Sequence, residues 1–405
     1  MTGQSEERAP DGAAHEAPGA VRETPSTVAL DPAAPVRVDL SVEVCGLRFA
    51  NPVLPAAGPP VRDGAGILEC AAGGAGGLVT KTISRRAAEV PTPNMAEISH
   101  GFLNTELWSE LPPEQWLERE LPLARTAGMP LVVSLGYSPA DIEWLAPRVR
   151  PFADALELST HYIGEDPGPM VDAIRAAKDA VDIPVFVKLS PLGREMARAA
   201  EHAAHAGADA IVAINSFGPC LAIDLETGRP RMGGGDGYGW LSGPALKPLA
   251  VRCVYDVARA VDLPVIGCGG VSRGTDVIEM AMAGASAVQV CTAAILRGRS
   301  VFGKIARETA AWLSLHGYTR LDEVRAMAQQ APVPSHVAGP PILDVDLCTG
   351  CELCVGSCVY DAIHVVAGKA ELDEERCERC GLCLTRCRPG ALMWASPASP
   401  GPLPA

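Results

Sequence analysis

Residues 183–216 read IPVFVKLSPLGREMARAAEHAAHAGADAIVAINS. Two short apolar runs, PVFVKLS (184–190) and DAIVAINS (209–216), flank an Ala-rich stretch with helical period at 194–206. Runs of this length, apolar on both faces and partly β-branched, suit strands buried between helices in a parallel sheet. Proline at 184 pushes its predecessor out of the α region and so ends the helix before it. The stretch therefore reads as strand, helix, strand.

The same alternation extends in both directions. Further runs are PVLPAAG (52–58), GLVTKT (77–82), PLVVSLG (130–136), ALELST (155–160), PVIGCGG (264–270) and AVQVCTA (287–293), which brings the total to eight. Helical stretches lie between them, for example at 168–181, 246–261 and 273–283. Eight such units in about 275 residues match the length and count of a (β/α)8 barrel. A doubly wound open sheet is the weaker reading, because it uses fewer strands and no GxGxxG opens the first βα turn.

The chain has 405 residues, a formal net charge of −14 and a pI near 5.1. That balance speaks against nucleic acid as a partner. No apolar run reaches the roughly 18 residues of a membrane span, and the N-terminus lacks the basic start and apolar run of a signal peptide. A cytoplasmic, non-membrane protein is expected. Residues 1–37, rich in Ala, Pro, Glu and Gly, are expected to be disordered. The barrel is expected over 38–330. A Pro-rich linker follows at 331–341, then a compact cysteine module over 342–395 and a disordered tail at 396–405.

Fourteen cysteines are unevenly placed. Six (45, 70, 220, 253, 268, 291) are scattered and read as small buried hydrophobes. Eight form two runs, Cys348-x2-Cys351-x2-Cys354-x3-Cys358 and Cys377-x2-Cys380-x2-Cys383-x3-Cys387. At this spacing three close thiolates hold one [4Fe–4S] cluster and the fourth reaches the other. Cluster one would use Cys348, Cys351, Cys354 and Cys387; cluster two would use Cys377, Cys380, Cys383 and Cys358. Zinc prefers separated CxxC pairs or Cys/His mixtures. The module resembles a bacterial two-[4Fe–4S] ferredoxin, with Val359 where proline usually follows the first run. It carries electrons singly and implies a redox partner on one side and a two-electron centre on the other.

In such a barrel, chemistry sits at the C-terminal ends of the strands. Those ends are polar or Gly-rich: Ala56-Ala57-Gly58, Thr80-Lys81-Thr82, Lys188, Asn215-Ser216, Gly269-Gly270 and Cys291-Thr292. Gly269 and Gly270, with Ser242-Gly243 before a helix, offer backbone N–H groups to a phosphate. Two lysines in one mouth call for something anionic, and a reduced flavin is anionic near N1 and O2.

Residues 42–315 resemble the FMN barrel of the dihydroorotate dehydrogenase family. The matching segments are GLVTKT, GFLNTELWSE, ALELS, FVKLSP, AINS, LSGPALKPLA, IGCGGV and VQVCTA. With the cysteine module, the chain resembles the pyrimidine-reducing half of dihydropyrimidine dehydrogenases, which bacteria carry as a separate catalytic subunit. The resemblance implies FMN contacts at Ala57, Gly58, Thr80, Lys81, Lys188, Asn215, Ser242, Gly243, Gly269, Gly270, Cys291 and Thr292. It implies pyrimidine contacts at Asn104, Glu106, Asn215 and Ser216, whose amides and carboxylate suit a ring alternating N–H donors with C=O acceptors.

One loop departs from the family, whose pattern after the fourth strand is LELNxSCP. Here it reads LELSTHYIGEDPGP. By register Ser159 replaces the amide, His161 the serine and Tyr162 the catalytic cysteine, and no cysteine lies between 70 and 220 to restore it. Tyr162 and His161 are therefore the candidate acid/base, with Ser159 on the substrate side.

The expected function is an FMN- and iron–sulfur-dependent oxidoreductase acting on a C=C next to a carbonyl, of dihydropyrimidine or dihydroorotate dehydrogenase type. Electrons would come from a separate FAD/NAD(P)H reductase subunit or a ferredoxin, since no nicotinamide fingerprint is present. Two alternatives are a different enone or lactam substrate, and an electron-transfer subunit without chemistry. The resemblance also implies a homo-oligomer such as a dimer.

Overall fold

The computed structural model describes residues 36–136, 138–159, 166–331 and 339–394. Almost all of segment 1–37, most of the linker at 331–341, the tail, and both His161 and Tyr162 lie outside them. The chain divides into two compact units, Pro32–Ala331 and one that contains Pro332–Ala405.

The first unit begins with a hairpin, β1 (Val42–Val44) and β2 (Leu47–Phe49). Its two-residue turn, Cys45-Gly46, has positive φ at both positions, the conformation that matches the twist of paired strands. The chain then runs through β3 (Val53–Pro55), β4 (Leu78–Val79), β5 (Met95–Ile98), β6 (Gly101–Asn104), β7 (Leu131–Leu135) and β8 (Ala155–Leu158). It continues through β9 (Val185–Leu189), β10 (Ala210–Ala213), β11 (Phe217–Cys220), β12 (Gly239–Ser242), β13 (Val265–Cys268) and β14 (Ala285–Val290).

Eight of these form one parallel sheet in the order β3-β14-β13-β10-β9-β8-β7-β4. Its two ends meet: the Gly76 N–H just before β4 donates to the Val53 carbonyl of β3 at 2.9 Å. This is a nearly closed (β/α)8 barrel, and each of its strands falls on one of the eight apolar runs. Helices at Gly168–Ala180, Met196–His205, Lys247–Ala260 and Gly274–Ala283 occupy the expected intervals.

Strand side chains alternate between two cores. One set packs outward against the helices, with Val133, Leu156, Leu158, Val187 and Ile211 fully buried. The other set fills the interior, with Leu54, Val132, Phe186, Val212 and Ile266 joined by Val44 and Phe49 of the hairpin. Near the C-terminal ends the interior changes character. The inward positions there hold Glu157, Lys188, Cys268 and Gln289, all buried.

Two excursions from the barrel build a canopy over this end. Strands β5 and β6 follow β4, and β11 and β12 follow β10. They pair antiparallel as β11-β12-β6-β5.

The second unit, the cysteine module, is a short repeat. Strands β15 (Ile342–Leu343) and β18 (Leu392–Met393) pair, as do β16 (Ile363–Val366) and β17 (Lys369–Leu372). Every cysteine of the first run has a counterpart 29 positions on. The surrounding contacts repeat too: Asp344 N–H donates to Ala391 O, and Asp373 N–H to Ala362 O. No helix among the described residues is long and apolar enough to cross a membrane.

Candidate active site and cluster cavities

A cavity opens at the C-terminal ends of the barrel strands. Nearly every barrel residue singled out from the sequence lines it: Ala57, Gly58, Lys81, Lys188, Asn215, Ser242, Gly243, Gly269, Gly270, Cys291 and Thr292 on the cofactor side. Asn104, Glu106, Ser159 and Ser216 line it on the substrate side. Thr80 is the exception. It is fully buried, and its hydroxyl accepts the Ser134 N–H at 2.9 Å, so it ties β4 to β7. Thr82, two residues on, lines the cavity in its place.

The phosphate end is made of backbone. Gly270 has φ +77°, and a Cβ there would meet the Lys247 backbone at 2.8 Å, so only glycine fits. Ser242 and Thr292 share a hydroxyl contact of 2.8 Å. Thr292 begins a short helix, Thr292–Arg297, whose first N–H groups have no intrahelical acceptors. Arg297 also lines this end and donates to the Ser272 carbonyl at 3.1 Å.

The two lysines have different partners. Lys81 Nζ donates to Glu106 Oε2 at 2.6 Å and to Glu110 Oε2 at 2.8 Å. Asn94 donates to the other oxygen of Glu106 at 2.6 Å. Asn104 ties β6 to β12 within the canopy: its Nδ2 donates to Trp240 O at 3.1 Å and its Oδ1 accepts the Glu106 N–H at 3.2 Å. Lys188 Nζ donates to Gln289 Oε1 at 2.9 Å and lies 4.0 Å from Glu157 Oε1.

Burial works to lower the Lys188 pKa, but the facing Cys268, Glu157 and Cys291 outweigh it, and the balance is raised. Burial also pushes up the thiols of Cys268 and Cys291, the latter to about 12. Both are then neutral at pH 7, and Glu157, whose Oε1 lies 4.0 Å from Nζ, is the carboxylate that faces Lys188.

These groups fit FMN. Lys188 is a buried cation lining the cavity that would pair with an anionic reduced ring, and the Gly269-Gly270 backbone with Arg297 would hold a phosphate. Several lining residues have no role assigned from the sequence: Phe102 of β6, Trp108 beyond that strand, Trp240 of β12 and Gln289 of β14. A polar residue inside the apolar run AVQVCTA is the one signal that could have flagged Gln289.

In the cysteine module two separate cavities hold the thiols. One is lined by Cys348, Cys351, Cys354 and Cys387, the other by Cys358, Cys377, Cys380 and Cys383. The grouping crosses between the two runs as the spacing predicts. Among the described residues no three His, Cys, Asp or Glu side chains close on a point as a single ion requires. The sulfurs stand around cavities, as a cubane needs. Sulfurs also accept backbone N–H groups: Ala370 to Cys348 at 3.4 Å, Ala362 to Cys358 at 3.4 Å and Ala391 to Cys387 at 3.2 Å. At Cys348 the bonds from Ala370 and Gly350 lower the pKa and favour thiolate.

Comparison with known proteins agrees with this architecture. The dihydroorotate dehydrogenase family matches residues 39–313, and a 4Fe-4S dicluster domain matches 340–388. The catalytic subunit of dihydroorotate dehydrogenase B (NAD(+)) from Methanothermobacter thermautotrophicus is 37% identical over 301 residues, covering 71% of this chain and 98% of that protein. The same subunit from Methanosarcina mazei is 38% identical over 314 residues, covering 74% and 98%. That from Pyrococcus abyssi is 36% identical over 304 residues, covering 71% and 99%. The chain belongs to the dihydroorotate dehydrogenase family, as a flavin-dependent oxidoreductase acting on CH–CH groups that carries an added 4Fe-4S dicluster domain.

Proposed function

We propose that the chain interconverts a neutral pyrimidine such as uracil or thymine with its 5,6-dihydro form, in the manner of dihydropyrimidine dehydrogenases. The observation that carries this is the charge balance of the cavity. Among the described residues three cations line it: Lys81, Lys188 and Arg297. Lys81 is held by two carboxylates, Lys188 faces Glu157, and Arg297 stands at the phosphate end. Among the described residues no cation is left over for a carboxylate on the substrate ring, while Asn104, Asn215 and Glu106 suit alternating N–H and C=O groups.

The cofactors are FMN in the barrel and two [4Fe–4S] clusters in the eight-cysteine module. When bound, FMN supplies hydride at one carbon of the substrate C=C. The proton at the neighbouring carbon needs a side chain. Tyr162 and His161 hold that role; both lie outside the described residues. Ser159, at the end of β8, lines the cavity just before them. Electrons arrive from a separate reductase subunit or ferredoxin, and the working enzyme is a homo-oligomer.

A second reading, oxidation of dihydroorotate, is favoured by the names of the relatives. One experiment separates the two. The anaerobically reconstituted, reduced protein is mixed with uracil, thymine or orotate while flavin absorbance is followed. Reoxidation by uracil or thymine and not by orotate is expected. Reoxidation by orotate alone selects the second reading, and by none of the three a different enone or lactam. Glu106→Gln removes one of the two carboxylates on Lys81 and should improve orotate binding by about tenfold, close to 1.4 kcal/mol. Loss of turnover in both Tyr162→Phe and His161→Ala supports the acid/base role; full turnover in both rejects it.

A further inference from the structure

Strand β8 carries a carboxylate, Glu157, between two leucines and with no exposed surface. The two oxygens are treated unequally. Oε2 accepts from the Gln289 side-chain amide. Oε1 has no hydrogen-bond partner among the described residues and points toward Lys188, 4.0 Å away. The carbonyl of the same Gln289 amide accepts from Lys188 at 2.9 Å. The three residues hang from three strands, β8, β9 and β14, and meet across the barrel interior. Lys188 and Gln289 line the cavity; Glu157 does not.

An unpaired charge at such depth is strongly disfavoured, so an ionised carboxylate and an ammonium here sustain each other. The other groups facing Lys188 are the thiols of Cys268 and Cys291, neutral at pH 7. The next charged groups are Lys81 and Glu106, near Cys291 and already paired with each other. Glu157 is thus the carboxylate that Lys188 faces.

We infer that Glu157 is a positioning residue for the cofactor: it keeps Lys188 charged and, through the Gln289 amide, aimed into the cavity, and so sets the flavin's reduction potential. This rests on the FMN reading above. A purely structural ion pair would affect folding without giving the potential a new dependence on pH. A positioning role does give one, because a buried lysine without its anion loses several pKa units and then titrates near neutrality.

The test uses the full chain loaded with FMN, with the potential measured by dye equilibration from about pH 6 to 9. The wild type should follow one unbroken course. Glu157→Gln should show a break within that range, and above it the reduced-to-oxidised ratio at fixed potential should fall about tenfold below the wild type. Adding Lys188→Met to that variant should abolish the break. A flavin-loaded Glu157→Gln that keeps the wild-type course overturns the inference alone. A wild-type chain that takes up no FMN overturns the cofactor reading and this inference with it.

Should Glu157→Gln fail to fold, Lys188→Gln gives a second arm in the flavin-free full chain. Glu157 is then a buried carboxylate without a cation, and burial disfavours the charged form. Stability relative to wild type should then fall as pH rises from about 5 to 8. A difference that stays flat with pH rejects the pairing.

Discussion

The six thiols of the barrel and the eight of the cysteine module overlap in burial but not in what faces them. Cys70, Cys253 and Cys268 are buried, and so are Cys348, Cys354 and Cys383. In the barrel Cys45 donates to the Asp209 carbonyl at 3.2 Å and Cys70 to the Pro60 carbonyl at 3.7 Å, while the side chains of Arg299 and Lys188 donate to Cys70 and Cys268. In the module the sulfur accepts, from the N–H groups of Ala370, Ala362 and Ala391. At Cys70 and Cys268 burial, the first cause of the raised pKa, outweighs the Arg299 and Lys188 donors, so the proton stays on and the thiol is a small hydrophobe. An acceptor environment prepares a thiolate for metal. Burial pushes Cys70 up to about 12 and Cys253 to about 11. Burial also raises Cys354 and Cys383; at Cys383 the next causes are Cys380 and Cys377, and at Cys354 two backbone N–H groups lower the pKa before Cys387 and Cys351 raise it, the mark of thiols gathered around one site.

The largest effect should come from breaking the module's own grouping. Replacing Cys387 with Ser should remove the same cluster as Cys354→Ser, although Cys387 belongs to the other run. Cys358→Ser should match Cys383→Ser. Each variant should retain about four of eight irons and one of two paramagnetic signals on reduction. If Cys387→Ser instead matches Cys383→Ser, the crossing is wrong and each run holds its own cluster.

A smaller effect tests whether Cys291, a barrel thiol that lines the cavity, acts by its volume. Gly58 has extended backbone, so alanine is allowed there, but its Cβ would meet Cys291 Sγ at 2.7 Å. Gly58→Ala should weaken FMN binding by about 1–3 kcal/mol, the usual scale for overpacking. Adding Cys291→Ala should restore most of it, as measured by flavin fluorescence on titration. A double variant as weak as the single one means that Gly58 is needed for its own approach to the cofactor, not for room beside the sulfur.

How much of this was legible differs between the same two regions. The cysteine spacing stated which four thiols share a cavity before any fold was known, because cluster geometry alone fixes that pattern. The barrel's eight runs were equally plain, since apolar patterning on both faces has few other uses. The canopy was not legible. Its strands are four residues long, β11 contains Gly218-Pro219, and half the β5 side chains are exposed. The opening hairpin was hidden because its turn is Cys45-Gly46, not Asn-Gly. Glu157 was visible only as an acid in an apolar run. Its meaning came from Gln289 and Lys188, which lie 132 and 31 residues away and meet it only in the closed barrel.

The smallest effect concerns pH, and in the metal-free chain its sign at Cys348 is opposite to that at the buried barrel thiols. Cys70 has a folded pKa of about 12 against an ordinary value of 9.0, so the folded state keeps a proton that the unfolded state loses. Its stabilising contribution is complete below about pH 9 and is lost as pH rises toward 12. Cys253 behaves alike over 9.0 to about 11. Cys348, lowered by its N–H donors, contributes in the other sense: its stabilisation is present above 9.0 and is lost as pH falls through its folded value. A Cys70→Ala/Cys253→Ala barrel should be about 1–2 kcal/mol less stable at neutral pH, because atoms are removed from a packed core. Between pH 9 and about 10.5 its stability in urea should decline less steeply than the wild type's. Equal slopes would mean that these thiols keep the same proton affinity in the unfolded chain, and the contrast between donating and accepting sulfurs would then lose its thermodynamic content for the barrel.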